Sequence, residues 1–130
     1  MLKQKYACSL DLAYDLIGGK WRMRVLWHIF VGNTNYTRIQ KYAPDITPKM
    51  LAETLRDLED KGLIHRKVIA DSIPVRVEYS LSDWGKRLIP SVLELNNWTK
   101  QYAALHNIEI PIIRAEPTSA GDGTAICLFE

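Results

Sequence analysis

Polar side chains that can read DNA bases recur at helical spacing between residues 44 and 61. Lys49 and Arg56 can donate hydrogen bonds to guanine edges or phosphates, and Glu53 can accept one from a cytosine amino group. On the other side of the same pattern lie the apolar residues Leu51, Leu55 and Leu58. The pattern predicts an amphipathic helix that buries its leucines and presents its polar face to a partner.

Both ends of this helix carry sequence signals. Thr47 is a favourable N-cap, Pro48 fits the first helical position, and Gly62 fits the position after the last turn. Met50, in the first turn, can contact a thymine methyl group or can simply pack. A helix that starts with free N–H groups and short polar side chains suits the DNA major groove, and an ordinary surface helix is the alternative.

Arg56 has a second interpretation within its own helix. Glu53, Glu59 and Asp60 lie three or four residues from it, which is the spacing of intrahelical ion pairs. The sequence therefore favours Lys49 as a DNA contact and leaves Arg56 open between the two roles.

The preceding element is a short predicted helix that opens at Thr37 and ends by Ala43. Thr37 and Gln40 have capping-box spacing, and Arg38 points outward. The three residues 44–46 then separate the two helices, which is the spacing of a helix-turn-helix motif. Thr37, Thr47 and Arg38 are therefore candidate contacts to the DNA backbone.

After Gly62 the hydrophobic period changes from 3.6 to 2, which predicts a β-hairpin with residues 70–74 as its turn. Arg66, Lys67 and Arg76 lie along it. A basic hairpin directly after a helix-turn-helix is typical of a wing, whose tip contacts the DNA backbone or the minor groove.

Three further helices complete the pattern. The first is predicted from Ser9, as N-cap, to Gly18 and Gly19, the second over residues 20–31, and the last over residues 83–106 with Ser82 as N-cap. The segment 33–36 between the second and third helices is predicted as a turn or a brief strand. The apolar stripes of the first and last helices predict a dimer interface made by Leu12, Leu16, Leu88, Val92, Leu95, Trp98, Tyr102 and Leu105. Packing of the last helix against its own domain is the alternative.

Length, composition and charge set the broad class. The 130 residues suit one domain, and the hydrophobic content of 47% suits a globular core. Residues 1–87 carry 15 basic and 10 acidic side chains, and residues 88–130 carry 2 and 5, so the two parts have net charges of +5 and −3. A basic first part is expected of a protein that binds a polyanion.

Other classes find little support. No signal peptide or membrane-spanning run is recognisable, so a cytoplasmic protein with no membrane partner is expected. The three histidines are isolated, and neither a catalytic arrangement nor a metal-ligand cluster is present, so we predict no enzyme, no metal and no cofactor. The predicted domain covers residues 1–110, and residues 111–130 are predicted to be a flexible tail.

Three sequence blocks resemble a known family of regulators. They are CSLDLAYDLIGGKW at 8–21, ITPKMLAETLRDLEDKGLIHR at 46–66 and PVRVEYSLSDWGKRL at 74–88. Their order and spacing are similar to those of the HxlR-type winged helix-turn-helix transcriptional regulators, relatives of the MarR group, over residues 6–106. The resemblance implies a mainly α fold with a small β-hairpin (α+β), dimeric through its N- and C-terminal helices.

The resemblance also implies a homodimeric repressor that binds a pseudo-palindromic operator in double-stranded DNA. The helix that enters the groove in that family matches Thr47, Lys49, Met50, Glu53 and Arg56 of this chain, and the family's wing arginine matches Arg76. Asn35 departs from the family, many of whose members have an arginine there. A winged-helix module that binds protein and not DNA remains the alternative.

Cys8 is a candidate redox sensor on the same resemblance. Several family members sense electrophiles, quinones or oxidants through a cysteine at the matching position. Thiols at helix N-termini carry more thiolate, and Lys3 and Lys5 act in the same direction. The alternative is a cysteine that packs as a small hydrophobe. Cys127 has no predicted role, and any small-molecule effector remains unidentified.

Overall fold

The computed structural model describes residues 2–111, and this part of the chain forms five helices and one hairpin around an apolar core. In chain order the elements are α1 (Ser9–Ile17), α2 (Arg22–Phe30), α3 (Tyr36–Tyr42), α4 (Pro48–Asp60), β1 (Ile64–Ile69), β2 (Arg76–Leu81) and α5 (Asp83–Leu105). The predicted mainly α fold with a winged helix-turn-helix is confirmed. Apart from Pro111, the predicted tail and Cys127 lie outside the described residues.

Helix α4 forms as its end signals predict. The Thr47 hydroxyl accepts the Met50 N–H at 3.2 Å, and Pro48 is the first helical residue. At the other end, the Leu63 N–H donates to the Leu58 carbonyl at 3.0 Å. Gly62 has a φ of +76°, a left-handed conformation that favours glycine, so the helix closes with a Schellman motif.

The core lies beneath α4. Leu51, Leu55 and Leu58 are each at most 1% exposed, and they pack with residues of α2 and α3 such as Leu26 and Ile39. Burial of a leucine side chain contributes about 1.5–3 kcal/mol. The buried leucines therefore fix which face of α4 remains available to a partner.

Three helices begin at residues other than those predicted. Cys8, not Ser9, is the N-cap of α1, since its backbone is extended and its Sγ accepts the Leu10 N–H at 3.4 Å. The capping box of Thr37 and Gln40 does not form. Helix α3 starts one residue earlier, at Tyr36.

Asn35 replaces that capping box, because its Oδ1 accepts the Arg38 N–H at 2.9 Å. The Gln40 side chain instead donates to the Ile46 carbonyl. Helix α2 also begins later than predicted, at Arg22, after the turn that follows the glycine pair.

Strands β1 and β2 pair antiparallel, with Ile64 opposite Leu81 and Ile69 opposite Arg76. The brief strand considered at 33–36 is not formed in the described structure. In its place, the Tyr79 N–H donates a hydrogen bond to the Thr34 carbonyl at 2.7 Å. This bond connects the wing to the segment between α2 and α3.

Helix α5 starts against the base of the wing. Ser82 caps it by accepting the Gly85 N–H at 3.1 Å and also donates to the Gly62 carbonyl. A Cβ at Gly85 would lie 2.2 Å from the Leu63 carbonyl oxygen, so this close approach requires glycine. The wing, α4 and α5 therefore meet at one junction.

Candidate nucleic-acid interface

The first turn of α4 is open to solvent. Thr47, Pro48 and Lys49 are exposed, and Met50 is 38% exposed. The Thr47 hydroxyl is engaged as the cap, and it retains a lone pair and a proton for a further contact. Pro48 has no N–H, and the N–H groups of Met50 and Leu51 are bonded to Thr47, so the backbone N–H of Lys49 and its exposed ammonium are what this turn offers to a phosphate or a base edge.

The polar face continues along α4 through Glu53 and Arg56, which are both exposed. Among residues 2–111, Arg56 forms no ion pair with Glu53, Glu59 or Asp60, the three intrahelical partners that the sequence offers. The guanidinium is therefore available to a ligand in this structure.

Helix α3 contributes Thr37 and Arg38 beside α4. Thr37 is exposed, and the side chain of Arg38 is half-buried with no hydrogen-bond partner in the described part of the chain. Because Asn35 caps the helix, the Thr37 hydroxyl is not engaged as a cap. The departure from the family at position 35 thus has a structural role that sequence reasoning missed.

The three basic residues of the wing do not share a face. Side chains alternate along a strand, so Arg66 lies on the face of its cross-strand neighbour Tyr79, which packs on the core. Lys67 and Arg76 lie on the other face, and Lys67 is opposite Glu78. The wing therefore offers Lys67 and Arg76 in one direction and Arg66 in the other.

Arg24 fixes the turn that precedes α4, and sequence reasoning did not identify it. Its guanidinium donates to both carboxylate oxygens of Asp45, at 2.8 and 3.0 Å. These hydrogen bonds from Arg24 are the main reason that the pKa of Asp45 is lowered. The bidentate pair connects α2 to the turn of the helix-turn-helix.

Lys20 is a second residue that the sequence reasoning passed over. It lines a cleft of about 400 Å³ between the glycine-containing loop and the flank of α4. The residues that line this cleft are Gly18, Gly19, Lys20, Trp21, Arg22, Met50, Glu53, Thr54 and Asp57. The Lys20 ammonium lies 4.9 Å from the Trp21 ring centroid and forms no salt bridge within residues 2–111, although its charge contributes to the lowered pKa of Asp45.

One signal could have identified this loop. Lys20, Arg22 and Arg24 place three cations within five residues, directly after a glycine pair. The structure pairs Arg22 and Arg24 with carboxylates and leaves Lys20 beside the polar face of α4.

Cys8 is an exposed free thiol at the start of α1. The segment before it folds back on the helix, because the Tyr6 hydroxyl donates to Asp15 Oδ2 at 2.7 Å. The alternative in which Cys8 packs as a small buried hydrophobe does not match this exposure. Accessibility is a requirement for a thiol that reacts with solutes.

The predicted dimer residues fall into two groups. Leu16 and Leu88 pack against the core of their own chain, Val92 is 7% exposed, and Leu12 is half-buried. The second group is exposed and comprises Leu95 at 45%, Trp98 at 61%, Tyr102 at 47% and Leu105 at 82%. The apolar stripe of α5 is thus covered in its first half and uncovered in its second.

Residues 2–111 form neither a metal site nor a membrane-spanning helix. No group of three or more His, Cys, Asp or Glu side chains in this range is arranged to hold a metal ion. No helix in the described range has both the length and the apolar character that a membrane crossing needs.

A model of the HxlR-like helix-turn-helix family matches residues 16–107, from the end of α1 to just beyond α5. The chain belongs to the HxlR-like helix-turn-helix family. The match includes α4, the wing and α5, so the family assignment covers the whole candidate interface.

Individual relatives agree with this assignment. The HTH-type transcriptional regulator YdeP of Bacillus subtilis (strain 168) is 39% identical over 95 residues, which cover 73% of each chain. An HTH-type transcriptional regulator of Methanothermobacter thermautotrophicus is 42% identical over 100 residues, covering 77% of this chain and 76% of that protein. The structure of the redox regulator HypR in its reduced form has a TM-score of 0.71 and 33% identity, covering 77% of this chain and 98% of HypR.

Proposed function

We propose that this HxlR-like protein is a homodimeric DNA-binding transcriptional repressor that places α4 of each protomer in the major groove of a pseudo-palindromic operator. The observation that carries the proposal is the capped and exposed first turn of α4, on a helix whose two cations, Lys49 and Arg56, have no partners in the described structure. Family membership favours a DNA-binding protein over a winged-helix module that binds only protein.

The contacts divide by type. Lys49, Glu53 and Arg56 face the bases, with Met50 against a thymine methyl group. DNA phosphates are contacted by Thr37, Arg38 and Thr47 and by the wing residues Arg66, Lys67 and Arg76. Pro48, which has no N–H to donate, contacts the DNA through packing alone. Lys20 adds a phosphate contact from the cleft beside α4.

Dimerisation uses the exposed half of α5. Leu95, Trp98, Tyr102 and Leu105 present an apolar surface, and a cleft of about 320 Å³ lies beside it between Trp27 and Leu95. A two-fold interface needs such self-complementary features, a projecting ring and a recess on the same surface. With the half-buried α1, this surface is the proposed interface.

Cys8 is the proposed sensing thiol. Its exposure and its place at the start of α1 support this role. HypR is a redox regulator solved in oxidised and reduced forms, and it resembles this chain over most of its length. Modification of Cys8 by an electrophile is expected to release the operator.

The decisive experiment is an electrophoretic shift with the intergenic DNA upstream of the gene, across a salt series. A DNA reader loses affinity steeply as salt rises, because its cations displace condensed counterions. Absence of duplex binding at low salt would favour the protein-interaction module.

A further inference from the structure

A cluster of three charged side chains joins α4 to the preceding loop. Asp57 lies on the flank of α4, and one of its oxygens, Oδ2, accepts from Arg22 Nε at 2.8 Å and from Lys61 Nζ at 3.0 Å. The Lys61 side chain is 8% exposed, and those of Asp57 and Arg22 are about one-third exposed. Hydrogen bonds between ionised groups are about twice as strong as neutral ones.

The two cations also bind the end of α1. Lys61 donates to the carbonyl of Asp15, and Arg22 Nη1 donates to the carbonyl of Gly18 at 3.3 Å. Helix α1 otherwise reaches the core through Leu16 and Ile17, whose apolar contacts have no preferred direction. The cluster therefore supplies the directional contacts between α1 and α4.

We propose that Asp57 is a positioning residue that fixes the orientation of α4 relative to α1 through Arg22 and Lys61. This inference rests on the proposed function. Because α1 belongs to the proposed dimer interface, its connection to α4 sets the separation of the two recognition helices across the dimer. Asp57 favours the correctly spaced operator over other DNA without touching it.

The negative charge of Asp57 makes this role separable from DNA contact. A carboxylate repels phosphate. If Asp57 acted only through its charge, its replacement by a neutral residue would raise the affinity for every DNA. Loss of positioning instead lowers affinity for the operator relative to unrelated DNA. The ratio of the two affinities therefore distinguishes positioning from a general change in charge.

The test uses the full-length Asp57→Asn variant, with Asp60→Asn as the matched control. Asp60 is exposed on the same helix, outside the cluster, and its substitution changes the charge equally. Amide exchange of the free protein is measured first. The Gly18 N–H, bonded to the Tyr14 carbonyl at 2.7 Å, is expected to exchange about tenfold faster in Asp57→Asn and unchanged in Asp60→Asn.

Operator and unrelated duplexes of equal length are then titrated with each protein. Asp57→Asn is expected to lower the ratio of the two affinities by about tenfold, and Asp60→Asn to leave it unchanged. An unchanged Gly18 exchange rate, or equal ratios for the two variants, overturns the positioning role. If the wild-type protein binds no duplex, the proposed function fails, and with it the part of this inference that concerns DNA, whatever the exchange data show.

A milder variant covers the case in which Asp57→Asn does not fold. Arg22→Gln removes one partner of Asp57 and leaves the buried Lys61 paired. The same two measurements apply. We expect smaller changes in the same directions: faster exchange of the Gly18 N–H and a lower ratio of operator affinity to unrelated-DNA affinity.

Discussion

The side-chain amide nitrogen of Asn33 lies 3.0 Å from Nδ1 of His28, and both residues are at most 1% exposed. Because the amide nitrogen is a donor, Nδ1 is the acceptor and the ring is neutral with its proton on Nε2. Burial, with a smaller contribution from the charge of Arg24, lowers the pKa of His28 to about 4, and Asp45 partly opposes this shift.

This pairing predicts a loss of stability in mild acid. Above pH 6.5 His28 is neutral in both states, whereas between pH 6.5 and 4 the unfolded chain binds a proton that the folded chain does not. The free energy of unfolding should therefore fall by up to about 3 kcal/mol over this window because of His28. Urea unfolding at pH 7 and pH 4 measures it, and His28→Gln should show a shallower decrease. The exposed His65 provides the control, since His65→Gln should follow the wild-type profile.

Lys49→Ala should weaken operator binding by about 1–3 kcal/mol and relax sequence preference at the base that the ammonium contacts. Competition titration against single-base variants of the operator measures both effects. Lys100→Ala, an equal change of charge on α5, is the control and should leave the preference intact. If the two variants behave alike, Lys49 does not read a base.

Lys20→Ala should reduce affinity for operator and unrelated DNA by similar factors, because phosphate contacts carry no sequence information. The slope of log K against log salt should become shallower by about one for each copy of the lysine. Arg24→Gln is the comparison, since Arg24 is paired with Asp45 and is expected to act on the turn before α4. A salt slope equal to that of the wild type removes Lys20 from the interface.

Trp98→Asp should convert the proposed dimer to a monomer. The ring is 61% exposed in the single chain, and a buried aromatic at an interface commonly contributes at least about 2 kcal/mol, or roughly a thirtyfold change in the dimer dissociation constant. Sedimentation velocity over a concentration series measures this constant. Ile73→Asp changes a fully exposed apolar residue in the turn of the wing and should leave the dimer unchanged. A Trp98→Asp protein that remains dimeric places the interface elsewhere.

Cys8→Ser should retain operator binding and lose its response to a quinone. The hydroxyl can cap α1 as the thiol does, so the helix is preserved. The measurement is the fraction of operator bound before and after quinone treatment of the two proteins. Release of DNA by the treated Cys8→Ser protein would exclude Cys8 as the sensor.

Contacts between neighbours in the chain could be predicted. The Thr47 cap, Pro48 and Gly62 place both ends of α4, because capping depends on groups within one turn of the helix end. Ser82 places the start of α5 for the same reason. Where two adjacent residues can both act as caps, the sequence does not decide between them, as at Cys8 and Ser9.

Where a side chain has several possible partners at similar sequence spacing, the sequence does not predict which of them it contacts. Arg56 had three acidic neighbours on its own helix and pairs with none of them in the described structure. The apolar residues of α5 form one continuous stripe in the sequence pattern. In the structure, however, Val92 is buried against Trp27, whereas Trp98 is exposed. Periodicity identifies a face but does not say what covers it.

The sequence by itself determined the order of the elements, the capped and polar first turn of α4 and the family, since all three depend on local spacing and on motifs read along the chain. The tertiary structure decided which cations remain available. Arg22 and Asp57 lie 35 residues apart and meet at 2.8 Å, whereas Lys20, two residues before Arg22, forms no salt bridge within residues 2–111. Such pairings depend on how segments that are distant in sequence pack against each other. The spacing of residues along the chain does not specify the distances between side chains that this packing creates.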